Sequence, residues 1–88
     1  MTTFIVIHKL PNGATQEGVI AVAQTVLARL PDNVRWLRSW VIPEDDRVIC
    51  EWEAPGSEVI RAVLEGLTLF PIEAIRTAEF IDPAWFAE

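Results

Sequence analysis

Apolar and polar positions along this chain switch between a period of two and a period near three and a half, and the switches mark out six elements. Thr3 to Lys9 is a β-branched run closed by Leu10, Pro11, Asn12 and Gly13, which predicts a strand followed by a turn. From Thr15, a good N-cap, apolar residues recur at Val19, Val22, Val26 and Leu30, with Glu17 near the positive end of the helix dipole. This predicts a first helix that ends before Pro31. Val34 to Pro55 reads as a hairpin folded at Pro43, Glu44, Asp45 and Asp46. Pro55, Gly56 and Ser57 then introduce a second helical period through Ile60, Val63, Leu64 and Leu67, with Ser57 as its cap and with Gly66 and Pro71 bracketing its exit. Ile72 to Phe80 reads as a fourth strand, stopped by Asp82 and Pro83.

The order β-α-β-β-α-β leaves few topologies once crossovers are right-handed. It predicts an α+β fold of the ferredoxin-like class: one domain over residues 1–88, a four-stranded antiparallel sheet, and both helices on one face. Symmetric pairing about the hairpin turn sets Arg38 opposite Glu51, Trp36 opposite Glu53 and Trp40 opposite Ile49 on one face. Leu37 with Trp52, Ser39 with Cys50, and Val41 with Val48 then form the other, core-facing side. The face without helices would carry Trp36 and Trp40, joined by Phe4 and Val6 of the first strand. So large an apolar patch is unusual on an isolated soluble domain. A second copy covering it would form a dimeric α+β barrel, with each bare face becoming the wall of a pocket.

Composition narrows the partners. The chain has 88 residues, 51% of them hydrophobic, and a formal net charge of −6. That is the small end of what a core stabilises unaided, which also favours a homodimer. The negative charge argues against nucleic acid and anionic lipid partners, and no apolar run approaches the roughly 20 residues that span a bilayer. The lone Cys50 has no internal disulfide partner and no signal-peptide pattern is present, so a reducing, cytoplasmic setting is expected. Glycine-rich phosphate loops, paired-cysteine zinc patterns and serine elbows are missing as well, and no cofactor is expected.

The runs Val34-Arg35-Trp36-Leu37-Arg38-Ser39-Trp40-Val41, Val48-Ile49-Cys50-Glu51-Trp52-Glu53-Ala54-Pro55, Leu69-Phe70-Pro71 and Ile81-Asp82-Pro83 resemble domain-of-unknown-function family 4242 over most of the chain. The resemblance implies a small ferredoxin-like protein, usually dimeric, from a family in which some members are labelled nickel-binding and most have no assigned activity. Arg38 stands where that family often has a histidine, and Ile7 or His8 where its first strand usually has a glutamate. A metal site is therefore not carried over, and one histidine with one cysteine falls short of what nickel or zinc favours.

The candidate chemistry gathers on the bare face. Arg38 and Glu51, flanked by Trp36 and Trp40, offer a polar anchor between flat apolar walls, the makings of a site for an aromatic or acidic ligand. Glu53 joins them there. Glu79 does too if Ala74, Ala78 and Phe80 meet the helices. His8, in phase with Phe4 and Val6, would look into the same cavity beside Glu51 or Glu53, and a histidine with a carboxylate suits acid–base work. Trp85 and Phe86 are expected to fold back on the domain or clasp a partner chain. The leading expectation is a homodimeric small-molecule binding protein. Alternatives are a cofactor-independent isomerase or oxygenase-like enzyme using His8 or Glu51 as base, a nickel or other metal-binding protein, and a purely structural dimer.

Overall fold

A computed structural model describes residues 1–87. Strand β1 (Thr2–Lys9) is followed by helix α1 (Gln16–Arg29), strands β2 (Arg35–Ile42) and β3 (Arg47–Ala54), helix α2 (Ser57–Val63) and strand β4 (Ile72–Ala78). The strands form one antiparallel sheet in the order β2-β3-β1-β4, with β1 and β3 at its centre. This is the ferredoxin-like arrangement, with both helices on one face.

Local chemistry sets the ends. Thr15 caps α1 by accepting from the Gly18 amide at 3.0 Å, and Leu30 turns extended ahead of Pro31. The β2–β3 connection is a 3-10 turn over Pro43–Asp45, released by Asp46 at φ 52°, a left-handed conformation that aspartate tolerates. Helix α2 is shorter than its apolar period suggests. Gly56, rather than Ser57, sits at its cap position with no side-chain bond, and the chain leaves the helix at Leu64 before Gly66 turns at φ 78°. Arg29 at the end of α1 donates to the carbonyl of Val63, the last residue of α2, and to that of Glu65 just beyond it, tying the helices together.

Strand register decides which side chain faces which way, and two bulges change it. In β2, Arg38 pairs with Glu51, Ser39 with Cys50, Trp40 with Ile49 and Val41 with Val48, as symmetric pairing about the turn requires. Leu37 is then an extra residue, so Trp36 lies opposite Trp52 and Arg35 opposite Glu53. In β4, Ile72 pairs with His8 and Ala74 with Ile7, which leaves Glu73 as the extra residue.

The helix-covered face therefore has three rows across the sheet: Trp36, Trp52, Phe4 and Thr77; Ser39, Cys50, Val6 and Ile75; Val41, Val48, His8 and Ile72. The core is built there, from Phe4, Val6, Val48, Cys50, Trp52 and Ala54 beneath Val26 of α1 and Ile60 and Val63 of α2. Phe4 and Val6 are thus core residues and not part of the bare face, as the first-strand pattern alone had suggested. Both strand-one faces are apolar, so periodicity carried no sign.

Beyond β4 the chain forms a 3-10 turn over Pro83–Phe86, capped by Asp82 Oδ1 accepting from the Ala84 amide at 2.9 Å. Trp85 packs edge-on against Phe80, with ring centroids 5.8 Å apart. Phe80, Trp85 and Phe86 all stay solvent-facing, at 60%, 63% and 72% exposed, so the tail does not fold back into the core.

Candidate functional site

The bare face has its own rows: Arg35, Glu53, Thr3 and Ala78; Arg38, Glu51, Ile5 and Arg76; Trp40, Ile49, Ile7 and Ala74; and, across three strands, Ile42, Arg47 and Lys9. Its middle is apolar, with Ile5, Ile7 and Ile49 half-buried and Trp40 48% exposed. Arg38 Nε meets Glu51 Oε1 at 3.0 Å, Arg35 meets Glu53 at 3.6 Å, and the bulged Glu73 reaches Arg47. Glu51, only 13% exposed at its side chain, is the most sheltered of these carboxylates. Arg76 has no carboxylate partner among the described residues, and its Nη1 donates only to the Ile75 carbonyl at 3.1 Å. A chain of net charge −6 thus sets four arginines against three glutamates on this one surface.

Three expected members of this site stand elsewhere. Trp36 is turned beneath the helices by the bulge at Leu37, where it stacks on Trp52 with centroids 5.9 Å apart and planes 12° from parallel. His8 is buried on that same helix-covered face, so the sheet itself separates it from Glu51 and the two cannot share a proton within one chain. Glu79 lies past the end of β4 and is exposed, and β4 turns Ala74, Arg76 and Ala78 to the bare face, so the condition that would have brought Glu79 into the site is not met. Arg76 takes that place. The only sequence signal for it was the bulk of Ile75, which claims the core side of a strand whose two faces otherwise look alike.

Beneath α1 the helix-covered face encloses a cavity of about 120 Å³. Val19, Val22 and Ala23 of α1 form its roof, Trp36, Val48, Cys50 and Trp52 its floor, and His8, Leu67 and Phe70 close one end. Its wall also includes Ser39 and Val41 of the edge strand β2, both exposed, which place the mouth there. Few polar groups border the cavity, and of these the Trp36 indole and the Ser39 hydroxyl are committed. Trp36 Nε1 donates to Ser39 Oγ at 2.7 Å, and the Ser39 hydroxyl donates to Cys50 Sγ at 2.9 Å. Burial pushes the Cys50 thiol up, against a smaller opposite pull from Ser39, so the thiol stays protonated and is a poor nucleophile.

His8 Nδ1 is 3.0 Å from the Phe70 carbonyl, which can only accept, so Nδ1 carries the proton. Burial lowers its pKa below 6.5 more than that bond raises it, and the ring is neutral at pH 7. The folded state thus binds its proton later than the unfolded chain does. Stability from this residue is full above the unfolded pKa and falls as pH drops through it toward the folded value. Urea titrations at pH ~7.5 and ~5.5 are expected to show lower stability at the more acidic pH. In His8→Leu this portion of the acid sensitivity disappears, and an unchanged pH dependence in that variant would contradict the assignment.

No group of three or more His, Cys, Asp or Glu side chains converges among the described residues. His8 and Cys50, the two donors that suit nickel best, lie under the helices on adjacent strands, while Glu51 and Glu53 point to the other side of the sheet. The donors within one chain do not fit a nickel site.

No helix is long and apolar enough to cross a membrane. No curated protein matches this sequence. The crystal structure of SCO4226 from Streptomyces coelicolor A3(2) is similar to this chain, with a TM-score of 0.74 and 22% identity over 91% of this chain and 99% of that one. At that identity it shows a shared fold. The family model described as "Nickel responsive protein SCO4226-like" matches residues 4–77. The small ferredoxin-like family suggested by the sequence runs is consistent with this, though the matching model carries that description and not the number 4242. With most of its length matched, from β1 to the end of β4, this chain belongs to the SCO4226-like family.

Proposed function

We propose that this protein is a homodimer that closes its two bare sheet faces on each other and binds a small acidic aromatic molecule between them. The observation that carries this is the row Arg38, Glu51, Ile5 and Arg76, in which a guanidinium without a carboxylate partner among the described residues stands on an uncovered surface whose middle is apolar. Arg38 is held by Glu51, which leaves Arg76 as the group with donors to offer a carboxylate or phenolate. Trp40, in the neighbouring row, supplies a flat wall for the ring. Glu53 holds Arg35 at the rim. The face suits a second copy of itself, since it presents arginines and glutamates side by side and a two-fold pairing can set each sign against the other.

Benzoate is the simplest probe of that chemistry. It is expected to shift the Trp40 indole resonance, and Arg76→Gln is expected to weaken it about 10-fold, the loss typical of one charge-assisted bond. An unmoved Trp40, or equal binding by the variant, would remove the site.

The family description favours a second reading, a response to nickel. The donors described above do not gather within one chain, so this reading has support from family membership alone. An acid–base enzyme built on His8 and Glu51 has less, because the sheet lies between them.

A further inference from the structure

We infer that the cavity beneath α1 is a second binding site, separate from the bare face, and that it takes an uncharged apolar molecule of about one aromatic ring. Its volume of about 120 Å³ is the first reason. Engineered apolar cavities of roughly 150 Å³ in another protein stay dry and bind benzene. The second reason is its wall. No Lys, Arg, Asp or Glu borders it, the one histidine is neutral, the Ser39 hydroxyl and Trp36 indole N–H are already bonded to neighbours, and the Trp52 indole N–H, which has no acceptor, is sealed within the core. A charged ligand would lose its water and meet no opposite charge in exchange. A flat apolar one meets the Trp36 and Trp52 side chains and, from the roof, Val19 and Val22.

The third reason is access. Ser39 and Val41 border the cavity from an edge strand and are exposed, so the space opens toward solvent beside α1 and a ligand enters without separating the strands. The site owes nothing to the dimer or to Arg76, and it survives if either proposal fails.

The four tryptophans make the test direct. Trp36 and Trp52 border the cavity, Trp40 lies on the bare face and Trp85 in the tail. In an indole N–H spectrum of the ¹⁵N-labelled full chain, toluene is expected to shift Trp36 and Trp52 and to leave Trp40 and Trp85 in place. Benzoate at the same concentration is expected to leave Trp36 and Trp52 unmoved. Toluene at about ten times its Kd is expected to raise Tm by ~6 °C. Ala23→Leu fills the cavity from the roof and is expected to abolish both effects of toluene. Unmoved Trp36 and Trp52 resonances in the unmodified protein would overturn the inference by themselves, whatever the variant does. Shifts of Trp40 alone would overturn it too, by placing toluene on the bare face, and equal response to benzoate would overturn the claim that the ligand is uncharged.

Discussion

Trp52→Ala is expected to lower Tm by ~15–30 °C and leave the protein largely unfolded at 37 °C. Trp52 is 2% exposed, lies at the middle of the helix-covered face between Trp36 and Phe4, and stacks on the Trp36 ring. Truncating a buried tryptophan to alanine costs about 3–5 kcal/mol. A domain of this size has only about 4–13 kcal/mol in total. Trp52→Phe is expected to be much milder. The Trp52 Nε1 proton is sealed from solvent without an acceptor, so phenylalanine removes an unsatisfied donor along with the second ring. Thermal unfolding followed by circular dichroism checks both, and a drop below ~5 °C for the alanine variant would show that the core does not hang on this ring.

Ile7→Asp is expected to split the dimer, weakening self-association about 100-fold or more while leaving the chain folded. Ile7 sits between Ile49 and Ala74 in the apolar row of the bare face, half-buried in the single chain. An aspartate there can stay hydrated in a monomer, but closing a second sheet over it buries a charge without a partner, at a cost of several kcal/mol. Native mass spectrometry over a dilution series reads the change. Dimers that persist in Ile7→Asp at the unmodified concentration would place the interface elsewhere, and the solvent-facing Trp85 and Phe86 would be the next surface to test.

These two outcomes lean on opposite faces of one sheet, and telling those faces apart is where the sequence was least informative. Element order was legible because each signal is local: Thr15 caps, Pro31 stops, and the proline and aspartates of the hairpin turn sit between two β-branched runs. Pairing near the turn was legible too, and Arg38 with Glu51 and Ser39 with Cys50 fall where counting back from Pro43–Asp46 puts them. The count fails at Leu37. A bulge adds one residue, and one residue is enough to carry Trp36 through the sheet. Nothing in the local run marks Leu37 as the extra residue. The preference for it lies in the stack that Trp36 gains on Trp52, which is distant in sequence.

Strand one was ambiguous for a different reason. Phe4 and Val6 alternate with Ile5 and Ile7, so either set makes a good core, and only His8 tells them apart: its ring finds the Phe70 carbonyl at the end of the α2–β4 connection. Placing Phe4 and Val6 inward fixes β4 through its pairing, turns Arg76 to the bare face, and leaves Glu79 beyond the strand. The cavity was not legible at all. It is a gap between α1 and the sheet, and a gap leaves no mark on the residues that border it.

The central claim is that the face bearing Trp40 is covered in solution by a second copy. A soluble paramagnetic agent broadens indole N–H signals according to their access to solvent, and Trp85, 63% exposed, is a built-in reference beside Trp40, 48% exposed in the single chain. At high protein concentration Trp40 is expected to be shielded while Trp85 broadens, and the shielding is expected to fade on dilution. Broadening of Trp40 in step with Trp85 at every concentration would contradict the claim.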